Sequence, residues 1–89
     1  MMYQLDGKFV AKENCGDELF GYLSEASKEM EKLPECNAYH VEKDSDSPDI
    51  IHVHEEWTDE AAHLNSLQLD VTQKLIENAK PIIKGMERE

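Results

Sequence analysis

Apolar residues recur along this chain with two different periods, and the order of those periods constrains the fold most. Period-two alternation, typical of strands with one buried face, covers 2–12, 36–43 and 50–57. Helical spacing of three and four residues covers 17–33 and a region from Thr58 to Ala79. A last short strand is predicted at 82–87, after Pro81. This βαββαβ order predicts a ferredoxin-like α+β fold, a four-stranded antiparallel sheet with helices on one face.

Local signals refine these elements. Asn14 or Asp17 is predicted to cap the first helix, and Thr58 is predicted to cap the second. Leu67 or Asp70 marks a break between two shorter helices in the second helical region. Because no linker, repeat or low-complexity segment interrupts the 89 residues, we predict a single domain spanning 1–89.

The two faces of the predicted sheet differ in chemistry. Gly7 interrupts the first strand and predicts a bulge or a close backbone approach. Odd-numbered positions, including Tyr3 and Val53, carry apolar side chains toward the helices. Even-numbered positions form a mixed surface of Met2, Gln4, Val10, Cys36, Ala38, His40, Ile50, His52 and His54. Such a mixture favours contact with a second sheet, so we predict a homodimer through this face; a merely solvated face is the alternative.

Composition and net charge limit the classes of partner that we predict for this protein. A formal net charge of −11 repels phosphate backbones and anionic lipid, so neither nucleic acid nor a membrane is predicted as a partner. No stretch approaches the roughly 18 apolar residues of a membrane-spanning helix. Residues 1–10 lack a basic region followed by an apolar run, so we predict a cytoplasmic protein. Cys15 and Cys36 form no Cys-x-x-Cys motif, so the sequence supports neither a redox-active cysteine pair nor a zinc knuckle.

Two short motifs resemble the antibiotic biosynthesis monooxygenase (ABM) family. Glu-Glu-Trp-Thr-Asp-Glu-Ala-Ala at 55–62 is similar to its Glu-x-Trp-x-x-x-(Glu)-Ala stretch, and Pro-Glu-Cys-Asn-Ala-Tyr at 34–39 to its Pro-Gly-Cys-x-x-Tyr entry into strand two. The resemblance implies a dimeric α+β barrel with a pocket between sheet and helices in each subunit. Relatives include cofactor-free oxygenases of aromatic polyketides or quinols, haem-degrading enzymes and proteins without established chemistry.

The chain also departs from the family pattern. Many relatives carry a His nine positions after the Trp, where this chain has Ser66; the nearest His is His63. Glu35 stands where the family has Gly. A haem-degrading relative needs a proximal His on this helix and an Asn on strand one, which instead offers Gln4, Asp6 and Lys8. The resemblance therefore disfavours haem, and no cofactor is predicted.

Glu55 and His63 are the candidate catalytic residues. Glu55 falls on the core face, and a carboxylate facing an apolar layer is costly unless paired, so it is a candidate proton acceptor. The alternative is a cap or salt bridge to the next helix. His63 could move protons at neutral pH, or could lie in water at the helix edge. Tyr39, Trp57 and Ser66 are the candidate pocket residues; core packing is the alternative for Trp57 and Tyr39.

His40, His52 and His54 form a separate group. If the hairpin turns around Asp46, His40 lies opposite His52, within reach of His54. Imidazoles at such distances can bind zinc, nickel or copper, but nothing else marks a metal site, and none is predicted. A further alternative is a pH-sensitive dimer, in which protonating these side chains disfavours association.

Two functional hypotheses follow. The first is a cofactor-independent monooxygenase of small aromatic or quinol-like molecules, an interpretation that rests mainly on family analogy. The second is a non-enzymatic dimeric protein of the same fold that binds a small molecule or serves a stress response. The Ser66 replacement favours the second hypothesis.

Overall fold

The computed structural model of the protein describes residues 2–88, apart from the side chain of Arg88. The elements follow the predicted order: β1 (Tyr3–Ala11), α1 (Gly16–Met30), β2 (Cys36–Lys43), β3 (Ile50–Trp57), α2 (Glu60–Ser66), α3 (Asp70–Ala79), a 3-10 turn (Lys80–Ile82) and β4 (Ile83–Arg88). The second helical region is broken between Ser66 and Asp70, at the predicted position. The predicted α+β ferredoxin-like class is confirmed.

The four strands form one antiparallel sheet with the order β2-β3-β1-β4. Along β1 and β3, Tyr3 pairs with Trp57 and Phe9 pairs with Ile51. Directly paired residues share a face, so both pairs point toward the helices. The outer two strands are β2 and β4, and β1 and β3 form the centre that carries the candidate site.

The core lies between the inner face of the sheet and the helices. Leu19 and Leu23 of α1 pack against Ile51 and Trp57 of β3, and all four side chains are at most 2% exposed. Burying side chains of this size contributes about 1.5–3 kcal/mol each relative to leaving them in water. This core fixes the distance between the sheet and the helix layer.

The start of α1 is held by a carboxylate from a distant loop. Asp49, between β2 and β3, accepts hydrogen bonds from the backbone N–H groups of Asn14 (3.2 Å) and Gly16 (3.0 Å). The residue at the N-cap is Cys15, whose side chain caps nothing. The prediction that Asn14 or Asp17 caps the helix was therefore wrong, because Asp49 takes the free donors at this terminus.

Gly16 allows that loop to approach. A Cβ atom at Gly16 would lie 1.8 Å from the carbonyl oxygen of Pro48, whereas one at Gly21 would meet nothing within 4 Å. At α2 the N-cap is Asp59, whose side chain accepts from the Ala62 N–H at 2.8 Å, and not the predicted Thr58. Asp59 is extended and sits one residue nearer the helix, where its carboxylate reaches the free donor.

Two register shifts differ from the predicted strand pattern. Gly7 is neither at a bulge nor in a close contact: it pairs in register with Val53, and a Cβ there would meet only ordinary contacts. The shifts fall instead between Val10 and Ala11 and between Cys36 and Ala38. Because of the second shift, Cys36 pairs with Trp57 and packs against the core, whereas the alternation placed it on the opposite face.

The hairpin register also differs from expectation. His40 pairs with His54, and His52 pairs with Glu42, so the predicted opposition of His40 and His52 was wrong. The chain reverses one residue later than assumed, which moves the pairing by two positions and keeps the same faces. Separately, none of the helices formed within residues 2–88 is both long enough and apolar enough to cross a lipid bilayer.

Candidate functional site

A cavity of about 670 Å³ lies between the inner sheet face and the helix layer. Most of its wall is apolar, with contributions from every layer of the core: Leu5, Phe9 and Val53 of the sheet, Leu23 and Met30 of α1, and Leu75 and Ala79 of α3. Cavities of about 300–1,000 Å³ with mostly apolar walls and few polar groups suit small organic ligands. The polar minority of the wall therefore decides what chemistry this cavity allows.

Glu55 and His63 are brought together in that wall. Glu55 lies on β3 and His63 on α2, and His63 Nε2 is 3.8 Å from Glu55 Oε1. Their side chains are only 19% and 14% exposed. The indole Nε1 of Trp57 donates a hydrogen bond to the same Glu55 oxygen at 3.1 Å. The carboxylate thus contacts the next helix, and it also borders the cavity.

The His63 imidazole is positioned by two aromatic rings. The centroid of its ring lies 5.7 Å from that of Tyr3 and 6.0 Å from that of Trp57. His63 is therefore mostly buried, and it does not lie in water at the helix edge. In the neutral tautomer that carries its proton on Nε2, facing the Glu55 carboxylate, Nδ1 is an acceptor.

That acceptor is the unusual atom of the site. Nδ1 of His63 is buried and has no hydrogen-bond partner within the described part of the chain. A buried polar atom left unpaired costs about 1–3 kcal/mol. His63 lines the larger cavity, so an O–H group of a bound molecule that reaches Nδ1 would remove that penalty.

Tyr39 and Ser66 also line the cavity. Tyr39 pairs with Glu55 across β2 and β3. Burial raises the pKa of the Tyr39 phenol, and the nearby Glu55 charge raises it further, so the hydroxyl keeps its proton at neutral pH. The Ser66 hydroxyl donates to the His63 carbonyl oxygen at 2.5 Å. Its proton is therefore already engaged within α2.

Trp57 is placed differently from the other candidates. It is 1% exposed, and it borders a separate cavity of about 330 Å³ together with Leu33 and Leu69. Ser66 borders both cavities. Trp57 contacts two residues that line the larger cavity: it donates a hydrogen bond to Glu55 and packs against the ring of His63.

Thr72 is a site residue that the sequence reasoning missed. It is 5% exposed, lines the larger cavity, and donates from Oγ1 to the Ser66 carbonyl oxygen at 2.5 Å. This bond ties the start of α3 to the end of α2. A usable signal existed, because Thr72 lies three residues before Leu75 and seven before Ala79, on the inward stripe of the helix.

Two of the three histidines of the opposite sheet face, His52 and His54, lie next to carboxylates. His52 Nε2 lies 2.8 Å from Asp44 Oδ1, and His54 contacts both Asp6 and Glu56. Within residues 2–88, no three His, Cys, Asp or Glu side chains converge in a way that could hold a metal ion. His52 and His54 thus contact carboxylates and form ion pairs with them when protonated.

Comparison with known proteins adds to this geometry. No curated protein matches the chain. Among solved structures, a protein from Chloroflexus aurantiacus J-10-fl, provisionally assigned as an antibiotic biosynthesis monooxygenase, is 32% identical, with a TM-score of 0.85 over 100% of this chain and 91% of that one. One from Nitrosomonas europaea with the same provisional assignment has a TM-score of 0.93 over 99% of this chain and 86% of that one, at 8% identity, which supports the fold alone.

The family assignment comes from the sequence model. The model of the antibiotic biosynthesis monooxygenase (ABM) family matches residues 2–78, which include β1 to α2, most of α3 and every polar residue of the cavity discussed above. The two motifs at 34–39 and 55–62 fall within the matched range. The chain therefore belongs to the antibiotic biosynthesis monooxygenase family.

Proposed function

We propose that this protein is a cofactor-independent monooxygenase that binds a small aromatic or quinol-like molecule in the larger cavity. One observation carries the proposal: the buried, unpartnered Nδ1 of His63, with Glu55 on the other side of the ring, in an apolar chamber. This arrangement suits removal of a proton from a phenolic hydroxyl. The membership in the ABM family supports the reaction type.

In the proposed reaction, His63 Nδ1 accepts the phenolic proton and Glu55 stabilises the imidazolium that results. The electron-rich phenolate then reacts with O2. A quinol supplies four electrons in total; one oxygen atom enters the ring as a hydroxyl group, and the other leaves as water with two hydrogen atoms. The products are a hydroxyquinone and water, so no external reductant is required. A positioned general base typically contributes 10²–10⁴-fold to such a step.

The assembly is part of the same proposal. On the sheet face away from the helices, the apolar side chains of Val10, Ala38 and Ile50 lie among charged ones. A second copy of the chain is the partner proposed to cover this face. An 89-residue chain buries a modest fraction of its surface, and pairing two sheets adds burial. Light scattering should give twice the mass of one chain.

Oxygen uptake with a reduced 1,4-naphthoquinol tests the catalytic proposal. We expect uptake above the autoxidation rate in buffer, a fall of about 10²-fold or more in His63→Asn, and a smaller fall in Glu55→Gln. Glu56→Gln and His40→Asn are matched controls, since Glu56 lies on the opposite face of β3 and His40 is exposed on β2. Equal rates in all four variants, or no rate above buffer, would refute the proposal for this substrate class.

A second function has one observation in its favour. Ser66 occupies the position where many relatives carry a His, and its hydroxyl proton is engaged with the His63 carbonyl. A non-enzymatic binding protein of the same fold accounts for that replacement. Under this alternative, oxidised naphthoquinone quenches the fluorescence of Trp57, the single Trp, while the quinol consumes no oxygen above buffer.

A further inference from the structure

The sheet face away from the helices, here named the outer face, has a distinctive charge pattern. Pairing in β1, β2 and β3 fixes its members, because directly paired residues share a face. Its side chains that carry or can carry charge are Asp6, Lys8, His40, Glu42, Asp44, His52, His54, Glu56 and Glu87. Five carboxylates therefore face one lysine and three histidines. When the histidines are neutral, the face is strongly negative.

His54 lies at the centre of this pattern with both ring nitrogens engaged. Nδ1 is 2.6 Å from Asp6 Oδ1 on β1, and Nε2 is 3.0 Å from Glu56 Oε2 on β3. Ionised carboxylates only accept hydrogen bonds, and a neutral imidazole has a single N–H. Both contacts can be hydrogen bonds only when both nitrogens carry a proton. With both carboxylates ionised, the geometry therefore fits an imidazolium.

The neighbours of His54 favour that charged form. Only β1 and β2 flank β3 in the sheet. On β1, Asp6 lies directly opposite His54, and Lys8 lies one pair further along. On β2, His40 lies directly opposite His54, and Glu42 lies one pair further along. On β3 itself, His52 and Glu56 are the next residues on the same face. Three carboxylates thus surround His54, against one permanent cation, and Lys8 is itself 3.8 Å from Glu87.

We propose that protonation of His54 controls association of two copies through the outer face, so that the dimer tightens as the pH falls and loosens as the pH rises. This inference rests on the sheet-face dimer proposed above. Two outer faces with neutral histidines would set like charges against each other in a partly desolvated layer. The imidazolium neutralises part of that charge in each copy. A second copy brings further carboxylates near His54, so association and proton binding favour each other.

The sign is opposite to the one expected from histidines alone. Three isolated imidazolium groups in an interface would repel, but here His54 and His52 are already paired with carboxylates. The hydrogen bond to Asp6, then that to Glu56, raises the pKa of His54 above its usual 6.5. Those contacts lie within one copy, so the linkage to association comes from the carboxylates that the second copy adds, which raise the pKa of His54 further. The imidazolium contribution to association is present below the pKa of the single copy and is lost as the pH rises through that of the dimer. For each proton taken up on association, the Kd changes by up to about tenfold per pH unit.

Sedimentation or light scattering of the intact protein, from about pH 5.5 to about pH 8.5, tests the inference. We expect the dimer Kd of the wild type to rise with pH. His54→Gln should remove most of that dependence and leave a weaker dimer. His54→Arg, whose cation persists over this range, should give a dimer that stays tight at high pH. His63→Gln, on the other side of the sheet, is the matched control and should keep the wild-type profile.

Three outcomes would overturn it. A Kd that does not change with pH, or that falls as the pH rises, contradicts the proposed linkage while leaving the dimer intact. A pH dependence unchanged in His54→Gln assigns the effect to other groups. A monomer at every pH and concentration removes the sheet-face dimer itself, so failure of the assembly is distinguishable from failure of the switch.

Discussion

Replacing Gly16 by Ala tests how the start of α1 is held. A Cβ there would lie 1.8 Å from the Pro48 carbonyl oxygen, 2.7 Å from its carbon and 2.8 Å from the Cα of Asp49, all of them backbone atoms. To restore ordinary contact, the loop must retreat by roughly 1.5 Å. That movement breaks the hydrogen bonds from Gly16 N–H to the Asp49 carboxylate and from Ala11 N–H to the Asp49 carbonyl.

The expected magnitude follows from those two bonds. A hydrogen bond to a charged group contributes about 1.5–3 kcal/mol and a backbone bond about 1 kcal/mol, so we expect a loss of about 3 kcal/mol. A domain of this size is stabilised by only about 4–13 kcal/mol. At about 4–8 °C per kcal/mol, the Tm should fall by roughly 12 °C or more.

Gly21→Ala in the same helix is the matched control. Nothing lies within 4 Å of the new Cβ, and the position is exposed. Alanine is favoured over glycine inside a helix by about 0.5–1 kcal/mol, so the Tm should rise by a few degrees. Circular dichroism melts and urea titrations of both variants measure the difference. A Gly16→Ala protein as stable as the Gly21→Ala protein would refute the close-approach argument.

Three further predictions concern single contacts. Thr72→Val should destabilise the fold by about 1–2 kcal/mol in urea titrations, because the Ser66 carbonyl loses its donor, while Thr72→Ser keeps the bond and should lose less. Burial and the Glu55 charge raise the pKa of Tyr39, so its phenolate should form at the highest pH in an absorbance titration of the tyrosines. Tyr39→Phe should remove that last step, and an unchanged titration curve would contradict the raised pKa. The hydrogen bond from His52 lowers the pKa of Asp44, so its contribution to stability is present above the usual carboxyl pKa of 3.8 and is lost as the pH falls through the lowered value. In carboxyl NMR titrations, His52→Gln should move that pKa back up, and no change would count against the pairing.

Much of the fold was predictable because alternation and helical spacing are local properties of the chain. The inner face of β3 follows from the odd-numbered positions, where Ile51, Val53 and Trp57 are apolar and buried and Glu55 is the one polar member. The break between α2 and α3 was visible near Leu67 and Asp70. Local period-two patterning thus identified the face that carries the candidate site.

The errors have a common physical origin in long-range contacts. The donors at the start of α1 are satisfied by Asp49, 33 residues from Gly16, and no local pattern announces such a cap. The shift between Cys36 and Ala38 arises from pairing with β3, so it turns Cys36 inward against the alternation. Likewise, the partner of His54 on β2 depends on where the hairpin reverses.

The candidate site was predictable only in part. Glu55 and His63 were predicted separately as candidate catalytic residues, and the structure places His63 Nε2 3.8 Å from Glu55 Oε1. The unpaired state of His63 Nδ1 depends on every neighbour in three dimensions, so it was invisible in the sequence. Thr72 was overlooked because only the apolar members of the inward stripe of α3 were considered, although its spacing from Leu75 places it on that stripe.

Because the wall of the larger cavity includes residues of both the sheet and the helix layer, a molecule that fills it touches both layers at once. Such a guest binds the native form alone, and at a hundred times its Kd it adds about 2.7 kcal/mol to the unfolding free energy. Melting curves recorded across a panel of phenols, quinones and unrelated metabolites would therefore rank candidate guests without any turnover. A rise in Tm on addition of a compound would thus identify it as a ligand of the cavity.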